Sequence, residues 1–146
     1  MGIFRHPAGI TIIPLAMTSQ SKDIRVLVID DSKTIRRTAE ILLQREGFAV
    51  KVAEDGFMAL PTVAQFQPSL IFVDIMMPRL DGYQCCALIK SHPRFRHIPV
   101  VMLSSKDGLF DKARGRIVGA DQYITKPFTR DELIGVIEEL FPGQSA

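Results

Sequence analysis

The chain lacks the cysteine framework of a secreted scaffold. Its 146 residues hold two cysteines, and these are the neighbours Cys85 and Cys86. Adjacent residues project differently from a helix, and the spacing is neither CxxC nor a zinc pattern. The pair reads as reduced thiols in a cytoplasmic protein. A membrane-length apolar run is also missing. The stretch 10–17 is apolar, but it is too short to span a bilayer and Pro14 interrupts it. Arg5 precedes it as in a signal peptide, yet no small-x-small cleavage site follows cleanly. Membrane insertion and export are therefore not expected. A basic stripe is absent as well. Arg5 and Lys22 lie in the first 22 residues, which hold no acid, so the remainder carries 16 basic against 16 acidic residues. A neutral domain of this kind is poorly suited to a phosphate backbone, and nucleic acid is not an expected partner.

What is present fits an ordinary globular domain, with 47% hydrophobic and 23% charged residues. The length gives room for one sizeable core. Residues 1–22 read as a leader, either an unstructured tail or an over-extended start with the true beginning at Met17. Residues 23–142 read as the domain and 143–146 as a short tail.

From Asp23 onward, short apolar runs alternate with helical patterns. Residues 24–29 are β-branched and nearly all apolar, as in a strand buried on both faces. They end in Asp30-Asp31-Ser32, which can cap a helix carrying Ile35, Ala39, Leu42 and Leu43 and stopping at Gly47. Residues 48–53 predict the second strand. The second helix is expected to bury Phe57, Leu60, Val63 and Ala64, with Pro61 near its start or distorting it. Residues 70–73 predict a third strand running into Asp74, with a third helix over 83–90. Residues 100–103 predict a fourth strand running into Ser104. A fourth helix carries Leu109, Phe110, Ala113 and Ile117, weakened by Gly108 and Gly115. A short fifth strand over 122–125 ends at Lys126-Pro127. Thr129 and Glu132 fit a capping box opening the fifth helix, whose buried stripe is Leu133, Val136, Ile137 and Leu140.

Five successive β-α units predict an α/β protein with a five-stranded parallel sheet, doubly wound by right-handed crossovers. Ligands of such sheets gather beyond the carboxyl ends of the strands. Asp30, Asp31, Asp74, Ser104 and Lys126 all fall at strand ends of this kind. Singly, each reads as a helix cap, a turn residue or a surface charge. Jointly, on four strand ends of one sheet, they form a site. Three gathered carboxylates repel, and a hard divalent cation such as Mg²⁺ offsets that repulsion with oxygen ligands. A metal-bridged Asp74 can act as nucleophile toward a phosphoryl group. Lys126 and Ser104 would then face the charge on the transferred oxygens.

These motifs, together with the stretch Val73-Asp74-Ile75-Met76-Met77-Pro78-Arg79-Leu80-Asp81-Gly82 and the stretch Tyr123-Ile124-Thr125-Lys126-Pro127-Phe128, resemble the bacterial response regulator receiver (CheY-like) family over residues 24–140. Within it, the likeness is to single-domain regulators of the chemosensory systems that control type IV pili and twitching motility. The resemblance implies a flavodoxin-like (β/α)5 fold and phosphorylation of Asp74 by a CheA-like sensor histidine kinase. It implies Mg²⁺ on Asp30, Asp31, Asp74 and the Met76 backbone carbonyl, with Ser104 and Lys126 on the phosphoryl oxygens. Tyr123 matches the family's switch aromatic, and Lys126-Pro127 its cis peptide. The Met76 side chain and Lys106 border the opening where water would attack.

Five residues follow Phe141, so output is expected through contact with a downstream protein of the pilus machinery, as a monomer or a phosphorylation-dependent dimer. Helix four, strand five and helix five form the expected changing surface. Three alternatives stay open: a flagellar-type or phosphate-sink receiver, a pseudo-receiver that is never phosphorylated, and a Mg²⁺-dependent phosphohydrolase with an Asp nucleophile. The last would need an acid where Met76 stands.

Overall fold

The computed structural model describes residues 4–5, 11–12, 23–105 and 111–143. In the leader, the backbones of 4–5 and 11–12 pair antiparallel. The rest of the expected disordered leader, and the expectations on Lys106, Gly108, Leu109 and Phe110, lie outside the described residues.

Five strands form the domain's sheet: β1 (Arg25–Ile29), β2 (Ala49–Ala53), β3 (Leu70–Asp74), β4 (Val100–Ser105) and β5 (Gln122–Lys126). Every pairing among them is parallel, and their order is β2-β1-β3-β4-β5. The strands alternate with α1 (Lys33–Arg45), α2 (Gly56–Phe66), α3 (Gly82–Ser91), α4 (Lys112–Val118) and α5 (Arg130–Leu140). All of β3 and nearly all of β1 and β4 are buried, whereas the edge strands β2 and β5 are buried at one residue each. This is why the three central strands read as continuous apolar runs.

Successive residues of the central strands feed opposite cores. Val26, Val28, Leu70, Phe72 and Leu103 pack with Ala39 and Leu43 of α1 and Leu133 and Ile137 of α5. Leu27, Ile29, Ile71, Val73 and Met102 pack with Ala59 and Val63 of α2 and Cys85, Cys86 and Ile89 of α3. Burial pushes the Cys85 thiol up to about 12, with the charges of Cys86 and Asp81 adding to it. It also pushes Cys86 up to about 11. Both sulfurs are therefore poor nucleophiles at neutral pH.

The expected helix faces hold in α1 and α5, where Ile134 joins the buried stripe. They fail in α2. There the buried residues are Gly56, Ala59 and Val63, while Phe57 and Met58 are exposed, as is Ala64. Ala59 and Val63 pack with the strands, and Leu80 packs against Gly56. Pro61 sits inside the helix rather than at its start. Asp111 caps α4, which buries Gly115 and leaves Ile117, one of its expected apolar residues, 84% exposed.

Glycine 82 sits hard against the backbone that follows β3. A Cβ there would stand 2.4 Å from the Asp74 carbonyl oxygen and 2.7 Å from the Ile75 Cα. Gly135, inside α5, has nothing within 4 Å of its missing Cβ. Gly82→Ala is therefore expected to lose about 1–3 kcal/mol from overpacking, and Gly135→Ala to gain about 0.5–1 kcal/mol from helix propensity. Urea unfolding of the two variants checks both signs.

Candidate phosphoacceptor site

The parallel register carries the predicted residues to one edge of the sheet. Asp30 directly follows β1, and Asp74 ends β3 opposite Leu103 of β4. Ser104 lies one residue further along β4, paired with Thr125, and Lys126 ends β5. Asp30, Asp74 and Ser104 are 0%, 2% and 4% exposed, whereas Asp31 faces solvent.

Short local bonds hold the first loop in shape. The Ser32 N–H donates to Asp30 Oδ1 at 2.8 Å, turning the chain back on itself. Ser32 Oγ then caps α1 by accepting from the Ile35 N–H. Arg36, one turn into the helix, donates to the Asp30 carbonyl at 2.7 Å. The cap role thus falls to Ser32, and the Asp31 carboxylate is left for the cluster. One oxygen each from Asp30, Asp31 and Asp74 lie within 4.8 Å of one another.

Among the described residues, one ammonium answers this charge directly. Lys126 Nζ donates to Asp30 Oδ2 and to Asp74 Oδ1, each at 3.0 Å. The Met76 N–H also donates to Asp74 Oδ1, at 3.2 Å, although the Met76 side chain is 70% exposed. Burial pushes the Asp74 carboxyl up to about 7, and the Asp30 charge adds to the push, while Lys126 pulls the other way. Burial alone would lower the Lys126 ammonium, but its bonds to Asp30 and Asp74 outweigh that and hold it above its ordinary value. Among the described residues the site thus carries more negative charge than Lys126 offsets, and its donor set is all oxygen. That is the chemistry a hard divalent cation fits.

Two predicted participants stand apart from the cluster. Ser104 Oγ donates to the Ser105 carbonyl at 3.3 Å. Tyr123, 37% exposed, lies on the outer edge strand with the Lys112 ammonium 5.8 Å from its ring centroid. The Lys126–Pro127 peptide is cis.

The residues match the family described as the response regulator receiver domain over 26–138. The chain belongs to the response regulator receiver family. Protein PilG of Pseudomonas aeruginosa is 64% identical to this receiver over 127 residues, 87% of this chain and 94% of PilG. The DNA-binding dual master transcriptional regulator RpaA of a Synechocystis strain is 37% identical over 116 residues, and the matched part is 48% of RpaA. The solved structure of the Vibrio cholerae chemotaxis protein CheY4 superposes with a TM-score of 0.76 at 28% identity, covering 81% of this chain and 98% of that one. The flavodoxin-like receiver fold expected from the sequence is the fold observed. No helix among the described residues is long and apolar enough to cross a membrane.

Sequence reading missed the contacts that brace the site. Asp81 and Gln84 form a reciprocal capping box at the start of α3, a D-x-x-Q signal that was legible. Tyr83 accepts from the Asp111 N–H at 2.9 Å. Arg114 lies 4.3 Å from the Tyr83 ring centroid and 3.6 Å from an Asp81 oxygen. These contacts clasp the first turn of α4 to the loop that follows Asp74, and no local pattern announces them.

The elevated Asp74 carboxyl sets a sign for stability. Its folded value, about 7, lies above the ordinary 3.8. The folded protein therefore binds more protons than the unfolded chain between these values, and metal-free stability falls as pH rises from about 4 to about 7. Asp74→Asn removes this charge. In chelator at pH 8 it is expected to be more stable than the parent by about 1–3 kcal/mol, a gap that narrows toward pH 5. Thermal melts across pH check it, and a parent melt that does not fall between pH 5 and 8 would contradict it.

Proposed function

We propose that this receiver is a response regulator switched by phosphorylation of Asp74, and that it signals by protein contact in the chemosensory control of type IV pili and twitching motility. The observation that carries the reading is the buried Asp74 carboxylate placed among Asp30, Asp31 and Lys126 on one sheet edge. The likeness to PilG supports the pilus assignment.

The donor is a phosphohistidine on a CheA-like sensor kinase. Asp74 attacks phosphorus, the P–N bond breaks, and the imidazole leaves, giving an aspartyl phosphate. Asp30, Asp31, Asp74 and the Met76 carbonyl would hold Mg²⁺, which when bound offsets carboxylate and phosphoryl charge. Lys126, released from part of its contact with Asp74, turns its ammonium to a phosphoryl oxygen. Ser104 leaves the Ser105 carbonyl and donates to another. Neither motion creates new charge on the protein, so the cost is a local rearrangement that the phosphoryl group, with about −1.5 to −2 charges, can drive.

Ser104 and Thr125 are paired across β4 and β5, and Tyr123 lies two residues before Thr125. The shift of Ser104 is thereby passed to the β5 edge, where Tyr123 turns inward. The output surface is α4, β5 and α5, with exposed Ile117 and a cavity of about 180 Å³ beside Lys112 and Tyr123. The partner is a cytoplasmic effector of the pilus machinery. The protein assists only its own phosphorylation and dephosphorylation. Turnover of other phosphate esters is not expected, because Met76 holds the position where a phosphohydrolase of the haloacid dehalogenase type carries its general acid.

Incubation with a small acyl phosphate and Mg²⁺ is expected to add one phosphoryl group by intact-protein mass. The gain is lost in Asp74→Asn and slowed by at least about tenfold in Asp31→Asn, the loss of one charged ligand. Phosphorylation that persists in Asp74→Asn would overturn the assignment.

A further inference from the structure

At the opposite end of the sheet from Asp74 lies a cavity of about 400 Å³, lined in part by Arg25, Gln67, Ser69, Arg94, Phe95 and His97. Arg25 opens β1, Gln67 and Ser69 lie between α2 and β3, and Arg94, Phe95 and His97 come from the α3–β4 connection. No carboxylate lines this cavity among the described residues. In a domain whose charges balance as a whole, two guanidinium groups and an imidazole share one concavity.

The walls are built rather than loose. The Arg25 Nε–H donates to the Phe66 carbonyl at 3.0 Å and the Gln67 carbonyl at 2.8 Å. These bonds cap the end of α2 and leave the terminal guanidinium nitrogens without a partner among the described residues. The Arg25 N–H donates to Ser69 Oγ at 3.0 Å, and the Ser69 N–H returns to the Arg25 carbonyl at 2.7 Å. Across the cavity, Phe95 and Arg96 donate to the His92 carbonyl at 3.0 and 2.9 Å, and Ile98 donates to the Phe95 carbonyl at 3.0 Å. Lys90 Nζ ties the same turn down through the Arg96 and Ile98 carbonyls. His92 stacks on Phe95 from one side, and the Arg94 guanidinium lies 5.7 Å from the same ring centroid.

We propose that this cavity binds a small phosphate-bearing anion, its phosphate held between Arg25 and Arg94 with His97 at the rim. A guanidinium anchored through Nε keeps its two terminal amino groups for a planar, bidentate bond to phosphate, and being already ordered it loses little entropy on binding. The volume falls in the range of small-ligand sites and exceeds what one phosphate fills, so the ligand is a phosphate ester of about nucleotide size. The site is chemically independent of Asp74, which ends the strand that Ser69 precedes.

Amide NMR titration of the metal-free protein with AMP, inorganic phosphate and adenosine tests this. AMP is expected to shift the amides of Gln67, Ser69, Phe95 and His97 saturably, leaving those around Asp74 in place. Arg94→Gln, which touches no helix cap, is expected to weaken binding by about tenfold or more, the loss of one charge-assisted contact. Arg25→Gln should act likewise wherever its spectrum shows an intact fold. Phosphate binding as tightly as AMP would assign the site to the free ion, while tighter AMP binding assigns it to an ester. The proposal is overturned by the absence of saturable shifts at millimolar AMP and phosphate, by equal binding of adenosine, or by binding unchanged in Arg94→Gln. A response to a polyglutamate peptide alone would also overturn it, in favour of an acidic protein segment.

Discussion

Lys126 holds Asp30 and Asp74 at once, and the functional edge of the domain is organised around that buried arrangement. A carboxylate stripped of water is costly unless it is paired and hydrogen-bonded. Here two such carboxylates share one ammonium, with a third carboxylate at the surface. The lysine starts on the edge strand β5 and reaches across the end of β4 to β3, about two strand spacings or roughly 10 Å. A long, flexible stem ending in a compact charge suits that span. The result is a pocket short of positive charge, held in place by the sheet's own register. That shortage is what makes a hard divalent cation compatible with the site.

Keeping the pocket in shape falls to the loops around it. Asp30 is braced by Ser32 and by Arg36, and Asp74 by the Met76 N–H. Behind Asp74, Gly82 brings the start of α3 so close that a methyl group would meet the Asp74 carbonyl. Tyr83 and Asp81 project from this fixed point to Asp111 and Arg114 at the start of α4. The mobile half of the proposed switch is thus anchored next to its rigid half. Ser104, bonded to the neighbouring Ser105 carbonyl, and Tyr123, half-exposed on β5, stand in an arrangement that a new negative group at Asp74 would rearrange.

The helices show where hydrophobic pattern stops being informative. In α1, the apolar residues expected to face inward do so, because Ala39 and Leu43 sit on the face that meets the sheet. In α2 the residues packed with the strands are Ala59 and Val63, while Gly56 is covered by Leu80. Phe57 is turned outward, with the Arg79 guanidinium 5.3 Å from its ring centroid. A periodicity that weighs residues by hydrophobicity favours Phe57 and so rotates the helix by one position.

The sequence by itself determined the order of five β-α units and the residues that close each strand, because strand burial and cap chemistry are local and leave local patterns. From these the parallel sheet, and Asp30, Asp31, Asp74, Ser104 and Lys126 as one edge, followed through the handedness rule. Tertiary structure alone decided which carboxylates are buried and which cation they share, since residues 30, 74 and 126 meet only when three strands are in register. It alone decided the clasp between Tyr83 and α4 and the basic cavity around Arg25, whose walls come from three segments well separated along the chain. Contacts of that range depend on how helices seat on the sheet, and seating is set by packing shape, to which residue type along the chain is a weak guide.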